Sequence, residues 1–195
     1  MTKMPNNSKL VFEGVLFKIY QWKQEMFDGS YETFEIAKRN DNVQVITTID
    51  DKIILIKEIQ PGFNKKTLGL PGGNVDDNED PKKAAKRELL EETGIECNSL
   101  EFLSRDSLGS KVLRDFILYI GRNSREVSKP KNSRGEKIEV LKVSFEKFVE
   151  ETQKEEFRNP KLREIIYRMK NTPGELEKFR KRLFEDNAEK ISNNA

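Results

Sequence analysis

Three glutamates, Glu88, Glu91 and Glu92, stand three and four residues apart in the run RELLEETG. On a helix that spacing puts all three carboxylates on one face, spread over roughly a third of the circumference. The local sequence supplies the helix. Asp80 can cap free N–H groups, Pro81 suits the first helical position, and Ala84, Ala85, Leu89 and Leu90 are good helix formers. Gly94 suits a left-handed terminal position, so a helix is predicted over Pro81 to Thr93. Ala84 and Ala85 lie beside the carboxylates and leave room for a loop or ligand. Leu90 points away as the expected core anchor, with Leu89 at the edge of the acidic face. Clustered carboxylates repel one another, and burying them unpaired is costly. A fully solvated face relieves that cost, and so does a hard divalent cation held by oxygen ligands.

The surroundings favour the cation. Gly73, Glu79, Arg87, Glu88, Leu89, Glu91, Glu92, Gly94 and Ile95 fit the pattern G-x5-E-x7-R-E-U-x-E-E-x-G-U without departure, U being a bulky aliphatic. At average composition such a match arises by chance on the order of once per billion windows. The stretch resembles the signature of the Nudix hydrolases. The resemblance implies a Mg2+- or Mn2+-dependent enzyme that cuts the pyrophosphate bond of a nucleoside diphosphate linked to another group. It also implies roles: Glu88, Glu91, Glu92 and the Gly72 carbonyl as metal ligands, Arg87 orienting the glutamates, and Glu79 supporting them. Gly73 and Gly94 would serve the turns. Glu136, just ahead of the last strand, would be a base or extra ligand, with Glu139 the alternative.

Other classes are narrowed by composition. With no histidine, any general base must come from elsewhere, and no histidine triad is possible. The 36 basic and 34 acidic side chains leave a net charge of +2, which calls for neither a nucleic-acid nor a membrane partner. The single cysteine, Cys97, allows no internal disulfide, and no long apolar run or signal-peptide pattern stands out; a cytoplasmic protein is expected.

The elements around the signature read mostly as strands. Val11 to Met26 reads as one long strand, Phe27 to Ser30 as a hairpin turn, and Tyr31 to Lys38 as the returning strand. Val43 to Ile49 and Ile53 to Ile59 are dense in Ile and Val and are joined at Asp50-Asp51-Lys52. Gln60 to Phe63 reads as a turn, and Leu100 to Ser104, Val112 to Ile120 and Ile138 to Val143 as further strands. Arg122 to Lys137 is a basic stretch that reads as a loop able to close over a diphosphate. Helices follow from Ser144, from Asn159-Pro160, and over Glu175 to Glu185.

The stretch YQWKQEMFDGSYETFEIAKR resembles the N-terminal strands of the ADP-ribose and nucleoside diphosphate-sugar pyrophosphatase branch. That resemblance implies a homodimer in which one subunit can line the other's nucleotide pocket. Trp22, Arg39 and Gln60 are candidates for substrate contact. The expected architecture is α/β: a Nudix α/β/α sandwich with a mixed sheet over 42–155, an N-terminal antiparallel β subdomain over 1–41, and C-terminal helices over 156–195. The chain departs from the branch at Gly69, where a glutamate is usual, and lacks both an upstream arginine and a proline about sixteen residues past the signature. The leading substrate is ADP-ribose or another nucleotide sugar. The alternatives are a housecleaning hydrolase of nucleoside triphosphates and a nucleotide-binding regulatory module without catalysis.

Overall fold

The computed structural model describes residues 4–59, 65–109, 111–131 and 137–192, with side chains described as far as Glu185. Strands β1 (Lys9–Glu13), β2 (Lys18–Glu25) and β3 (Tyr31–Lys38) form an antiparallel meander. The long strand expected from Val11 is two strands. The Gly14 N–H donates to the Phe17 carbonyl at 2.8 Å and folds the chain back between them. The turn after β2 is as expected: the Met26 N–H donates to Ser30, and Gly29 has φ 83°.

The main sheet contains β4 (Asn42–Ile49), β5 (Lys52–Ile59), β8 (Ile95–Ser107), β10 (Asp115–Glu126) and β11 (Lys137–Val143), in the order β11-β5-β4-β10-β8. It is mixed, because β10 runs parallel to β4 and antiparallel to β8. Strand β6 (Lys66–Gly69) pairs with β5, and β7 (Gly72–Asn74) with β4. The two-residue β9 (Val112–Leu113) leaves the main sheet and pairs parallel with β3, completing the N-terminal sheet. That sheet is therefore not purely antiparallel, and it takes a strand from inside the 42–155 segment.

Alternation along the central strands feeds two cores. Val43, Val45, Ile54, Ile117 and Tyr119 face α1 (Pro81–Thr93), whose Ala84, Ala85 and Leu89 are buried among them. Ile46, Ile53, Leu55, Leu118 and Ile120 point to the other face. There they pack on Phe148 of α2 (Phe145–Thr152), Leu162 and Ile166 of α3 (Pro160–Lys170), and Phe179 and Leu183 of α4 (Glu175–Ser192). A period of two on both sides of one sheet is what an α/β/α sandwich requires.

The helix α1 starts and stops as its sequence dictates. The Asp80 carboxylate accepts from the N–H groups of Lys82 and Lys83, and Gly94 closes the helix at φ 72°. Its core anchor is Leu89, fully buried, and not Leu90. The inward stripe runs Ala85–Leu89–Thr93, next to the carboxylates. The acidic face thus borders the core, and the small alanines bring the helix close to the sheet rather than making room for a ligand.

A short segment before α3 is stitched to β6. The Leu68 N–H donates to Glu156, the Arg158 N–H donates to Leu68, and Phe157 is buried between them.

Candidate active site

A pocket of about 590 Å3 opens where β4, β6, β7 and α1 meet. Gly72, Gly73, Arg87, Glu88, Glu91 and Glu92 all line it. Each is placed by local structure. At Gly72 a Cβ would sit 2.7 Å from Gln44 Cα and closer still to the Val43 carbonyl oxygen, so only glycine lets β7 lie against β4. Its N–H donates to Glu92 Oε2 at 2.7 Å, which ties the loop to the helix. At Gly73 a Cβ would lie 2.5 Å from Glu88 Oε2, so the missing side chain is the space the Glu88 carboxylate occupies.

The hub of this network is Arg87. It donates from Nε and Nη2 to both oxygens of Glu79 at 3.0 and 2.8 Å, from Nη1 to Glu88 at 2.8 Å, and from Nη2 to the Asn74 carbonyl at 3.1 Å. Glu91 lies 3.7 Å from Nη1. The forked contact holds Glu79 below the usual carboxylate range, and the same hydrogen bonds push Arg87 upward. Glu79 also accepts from the Asp76 N–H at 3.0 Å and so fixes the loop before α1. For Glu88 burial dominates: it pushes the carboxyl above its ordinary range against the pull of Arg87, and the charge on Glu91 adds to the rise.

An all-oxygen donor set fits a hard divalent cation. A carboxylate that burial and a like-charged neighbour make costly to ionise gains from positive charge beside it. Among the described residues, however, no three acidic side chains close on one point as a ready-made cation site. Glu88 is drawn to Arg87 and Glu92 to Gly72, so side-chain rotation would have to complete such a site.

Some expected residues fall elsewhere. Arg39 lines the pocket. Trp22 does not; its indole N–H donates to Gln24 and its ring meets Phe34 at 6.0 Å within the N-terminal sheet. Gln60 and Glu136 lie outside the described residues, as does the turn over 60–63. Gly94 is in place, with Ser128 packed so closely that a Cβ would collide with its carbonyl. The basic stretch from Arg122 is not all loop. Residues as far as Glu126 belong to β10, and Arg122 is buried, donating to Glu101 and to the Arg182 carbonyl. The following residues wrap the end of α1, where Lys131 N–H donates to the Glu91 carbonyl at 2.7 Å.

The NUDIX domain family model matches residues 38–169, more than half of the chain. The chain belongs to the Nudix family. As a Nudix hydrolase it is similar to several characterised proteins. The methanol dehydrogenase activator of Bacillus methanolicus is 30% identical over 127 residues, covering 64% of this chain and 67% of that one. The ADP-ribose pyrophosphatase of Bacillus subtilis is 26% identical over 144 residues, covering 70% and 75%. The ADP compounds hydrolase NudE of Escherichia coli is 32% identical over 104 residues, covering 52% and 56%. A crystal structure of an ADP compounds hydrolase superposes with a TM-score of 0.68 over 86% of this chain and 93% of that one. At 21% identity that likeness supports the fold alone.

The Nudix pocket also holds residues that sequence reasoning passed over. Glu58, Asn74, Arg114, Phe116 and Arg158 line it. Glu58 is buried and paired with Arg158. Arg158 Cβ lies 3.8 Å from where a Gly69 side chain would begin. The departure at Gly69 thus faces Arg158, which Glu58 of the neighbouring strand holds. No linear motif marks these residues, because they come from β5, β7, β10 with the residue just before it, and the segment ahead of α3.

Proposed function

We propose that this Nudix hydrolase cleaves the pyrophosphate bond of a nucleoside diphosphate derivative, with ADP-ribose or another nucleotide sugar as substrate. The products would be a nucleoside monophosphate and a sugar phosphate. The observation that carries this reading is the joint lining of one pocket by the Glu88, Glu91, Glu92 face and by the guanidiniums of Arg39, Arg114 and Arg158. Acidic groups that suit a cation and basic groups that suit phosphate oxygens meet where a charged diphosphate would need both. The names of the Bacillus subtilis and Escherichia coli relatives point the same way.

Glu88, Glu91, Glu92 and backbone oxygen at Gly72 are the groups that would hold Mg2+ or Mn2+. When bound, such an ion neutralises phosphate charge and acidifies water. The chain's own contribution is positional. Arg87 and Glu79 lock the start of α1 to the loop at Asn74, and Gly72 holds Glu92 against that loop. Glu136 remains our candidate for the base.

The N-terminal sheet would pair two subunits. It exposes Leu10, Val11, Phe12, Leu16 and Tyr31, an apolar surface that a second copy would cover. Trp22 would then be available to a partner's pocket. One buried cysteine, Cys97, suits a reducing, cytoplasmic setting.

The test is a substrate panel with Mg2+ or Mn2+, comparing ADP-ribose, other nucleotide sugars and nucleoside triphosphates. Preferential turnover of a nucleotide sugar is expected. Preference for triphosphates would favour the housecleaning alternative, and binding without turnover of any compound would favour a regulatory module.

A further inference from the structure

Two carboxamides on the pocket wall are held in orientations that the fold dictates. Asn42 and Gln44 stand two apart on β4, so their side chains leave the same face of the strand, and both line the pocket. The constraint on Gln44 starts at α3. The Leu162 N–H can only donate, and it points at Asn159 Oδ1 at 2.7 Å, as the N-cap of that helix requires. The Asn159 amide nitrogen is thereby turned toward Gln44 and donates to its Oε1 at 2.6 Å. Gln44 must then hold Nε2 away from Asn159. At Asn42 the partner is the Gly73 carbonyl, which can only accept; Nδ2 donates to it at 2.9 Å, and Oδ1 is left over.

Neither Gln44 Nε2 nor Asn42 Oδ1 has a hydrogen-bond partner among the described residues, and neither is sealed from solvent. The wall therefore offers one free donor and one free acceptor on neighbouring side chains. A ligand that displaces their water must replace both bonds. The cavity behind them measures only about 10 Å3, space for a single water, so a ligand meets these atoms from the main pocket.

A flat base is a poor match for this wall. Phe116, which parallel pairing sets beside Asn42, is the one aromatic side chain among the described lining residues. The Arg114 guanidinium already lies 4.9 Å over its ring. A sugar needs no stacking surface. Each hydroxyl both donates and accepts, so two adjacent hydroxyls can satisfy an amide N–H and an amide oxygen together.

We propose that Asn42 and Gln44 form a sugar subsite that reads a pair of vicinal hydroxyls. The hydroxyls belong to the ribose of the nucleoside or to the sugar beyond the diphosphate, and the recognition chemistry is the same for both. This subsite presupposes the nucleotide-sugar reading of the pocket, but its test does not require turnover.

The experiment is calorimetric titration of the full chain in the presence of a chelator, so that neither bound metal nor hydrolysis enters. The probes are ADP-ribose and two analogues, one lacking the 2-hydroxyl of the adenosine ribose and one lacking that of the terminal ribose. One analogue binds wild type about tenfold more weakly than ADP-ribose, because an amide loses its partner, and which one it is identifies the sugar. That penalty shrinks below about twofold in Gln44→Met or in Asn42→Leu, whichever removes the amide facing the missing hydroxyl. A merely structural role would weaken ADP-ribose and the analogue alike and leave the penalty intact. Gln44→Asn keeps an amide but withdraws it by one carbon; it behaves like Gln44→Met and replaces that variant if it fails to fold.

Equal affinity of wild type for ADP-ribose and both analogues overturns the proposal. So does a penalty that survives at both positions, or no binding of ADP-ribose by wild type in the chelator. Sugar discrimination without turnover of any compound in the substrate panel keeps the subsite and loses the hydrolase reading. Turnover of ADP-ribose and both analogues with equal KM, and no discrimination in binding, does the reverse.

Discussion

Adding one methyl group at Gly73 and one at Gly72 should produce opposite phenotypes. In Gly73→Ala the new Cβ would start 2.5 Å from Glu88 Oε2, whereas ordinary contact begins at 3.4 Å. The carboxylate must therefore retreat by about 1 Å, a displacement of the size that costs roughly a hundredfold in rate when it moves a catalytic group. The obstructing atoms end a flexible side chain, so the backbone can stay where it is. What is lost is the 2.8 Å hydrogen bond from Arg87, worth about 1.5–3 kcal/mol for a charged pair. For a chain of this size that corresponds to a fall of about 3–12 °C in melting temperature. In Gly72→Ala the obstruction is the backbone of Val43 and Gln44, which cannot swing away. That variant should lose the β4–β7 pairing and fail to fold stably. The assays are kcat on the preferred panel substrate and thermal unfolding followed by circular dichroism. If Gly73→Ala keeps kcat within about twofold of wild type, the idea that the glycine exists to seat Glu88 is wrong. If Gly72→Ala melts like wild type, the account of the loop is wrong.

Further outcomes follow from the same geometry. Glu92→Gln keeps an oxygen to accept the Gly72 N–H, so it should fold normally while kcat falls at least about a hundredfold; a near-normal rate would refute a ligand role. Burial works to raise the Glu101 pKa, but hydrogen bonds from Arg122 and Arg182 outweigh it and hold the carboxyl below its ordinary value. Its stabilisation should therefore be complete above the unfolded pKa of about 4.3 and disappear as pH falls through the native value. In melting temperature the gap between wild type and Glu101→Gln should be about 2 °C at pH 7, because the group is partly solvated, and should vanish in strong acid; a gap that grows on acidification would contradict the sign. Sedimentation should give twice the chain mass, and Val11→Lys, on the exposed sheet, should yield a monomer; an unchanged mass in that variant would exclude the Val11 surface as the subunit contact.

What could be read from sequence was what is decided within a few residues. Asp80, Pro81 and Gly94 bound α1 because caps act locally, and the Asp50–Asp51 turn holds both residues at positive φ as its composition suggests. Density in Ile and Val gave the central strands, while the division of their side chains between two cores is visible only once the sheet is placed. The failures share a cause. Arg122 looked like part of a basic loop because its partners, Glu101 and Arg182, are 21 and 60 residues away. Leu89 and Leu90 are equally apolar, and only the position of the sheet decides which is buried. Arg114 carried no signal because its neighbours Arg39 and Arg158 reach it through β9 pairing and through the segment before α3.

That segment also decides where the chain can be cut. A break after Glu155 would seem to spare the sheet, helix α1 and every glutamate on it. It would nevertheless remove Phe157 from the core and both hydrogen bonds that clamp Leu68, two residues before Leu70 turns into Pro71 and Gly72. Asn159, whose amide donates to Gln44 at 2.6 Å, would leave with it. A protease that nicks this joint would therefore silence the enzyme without touching an acidic residue, by letting the floor beneath Gly72 sag.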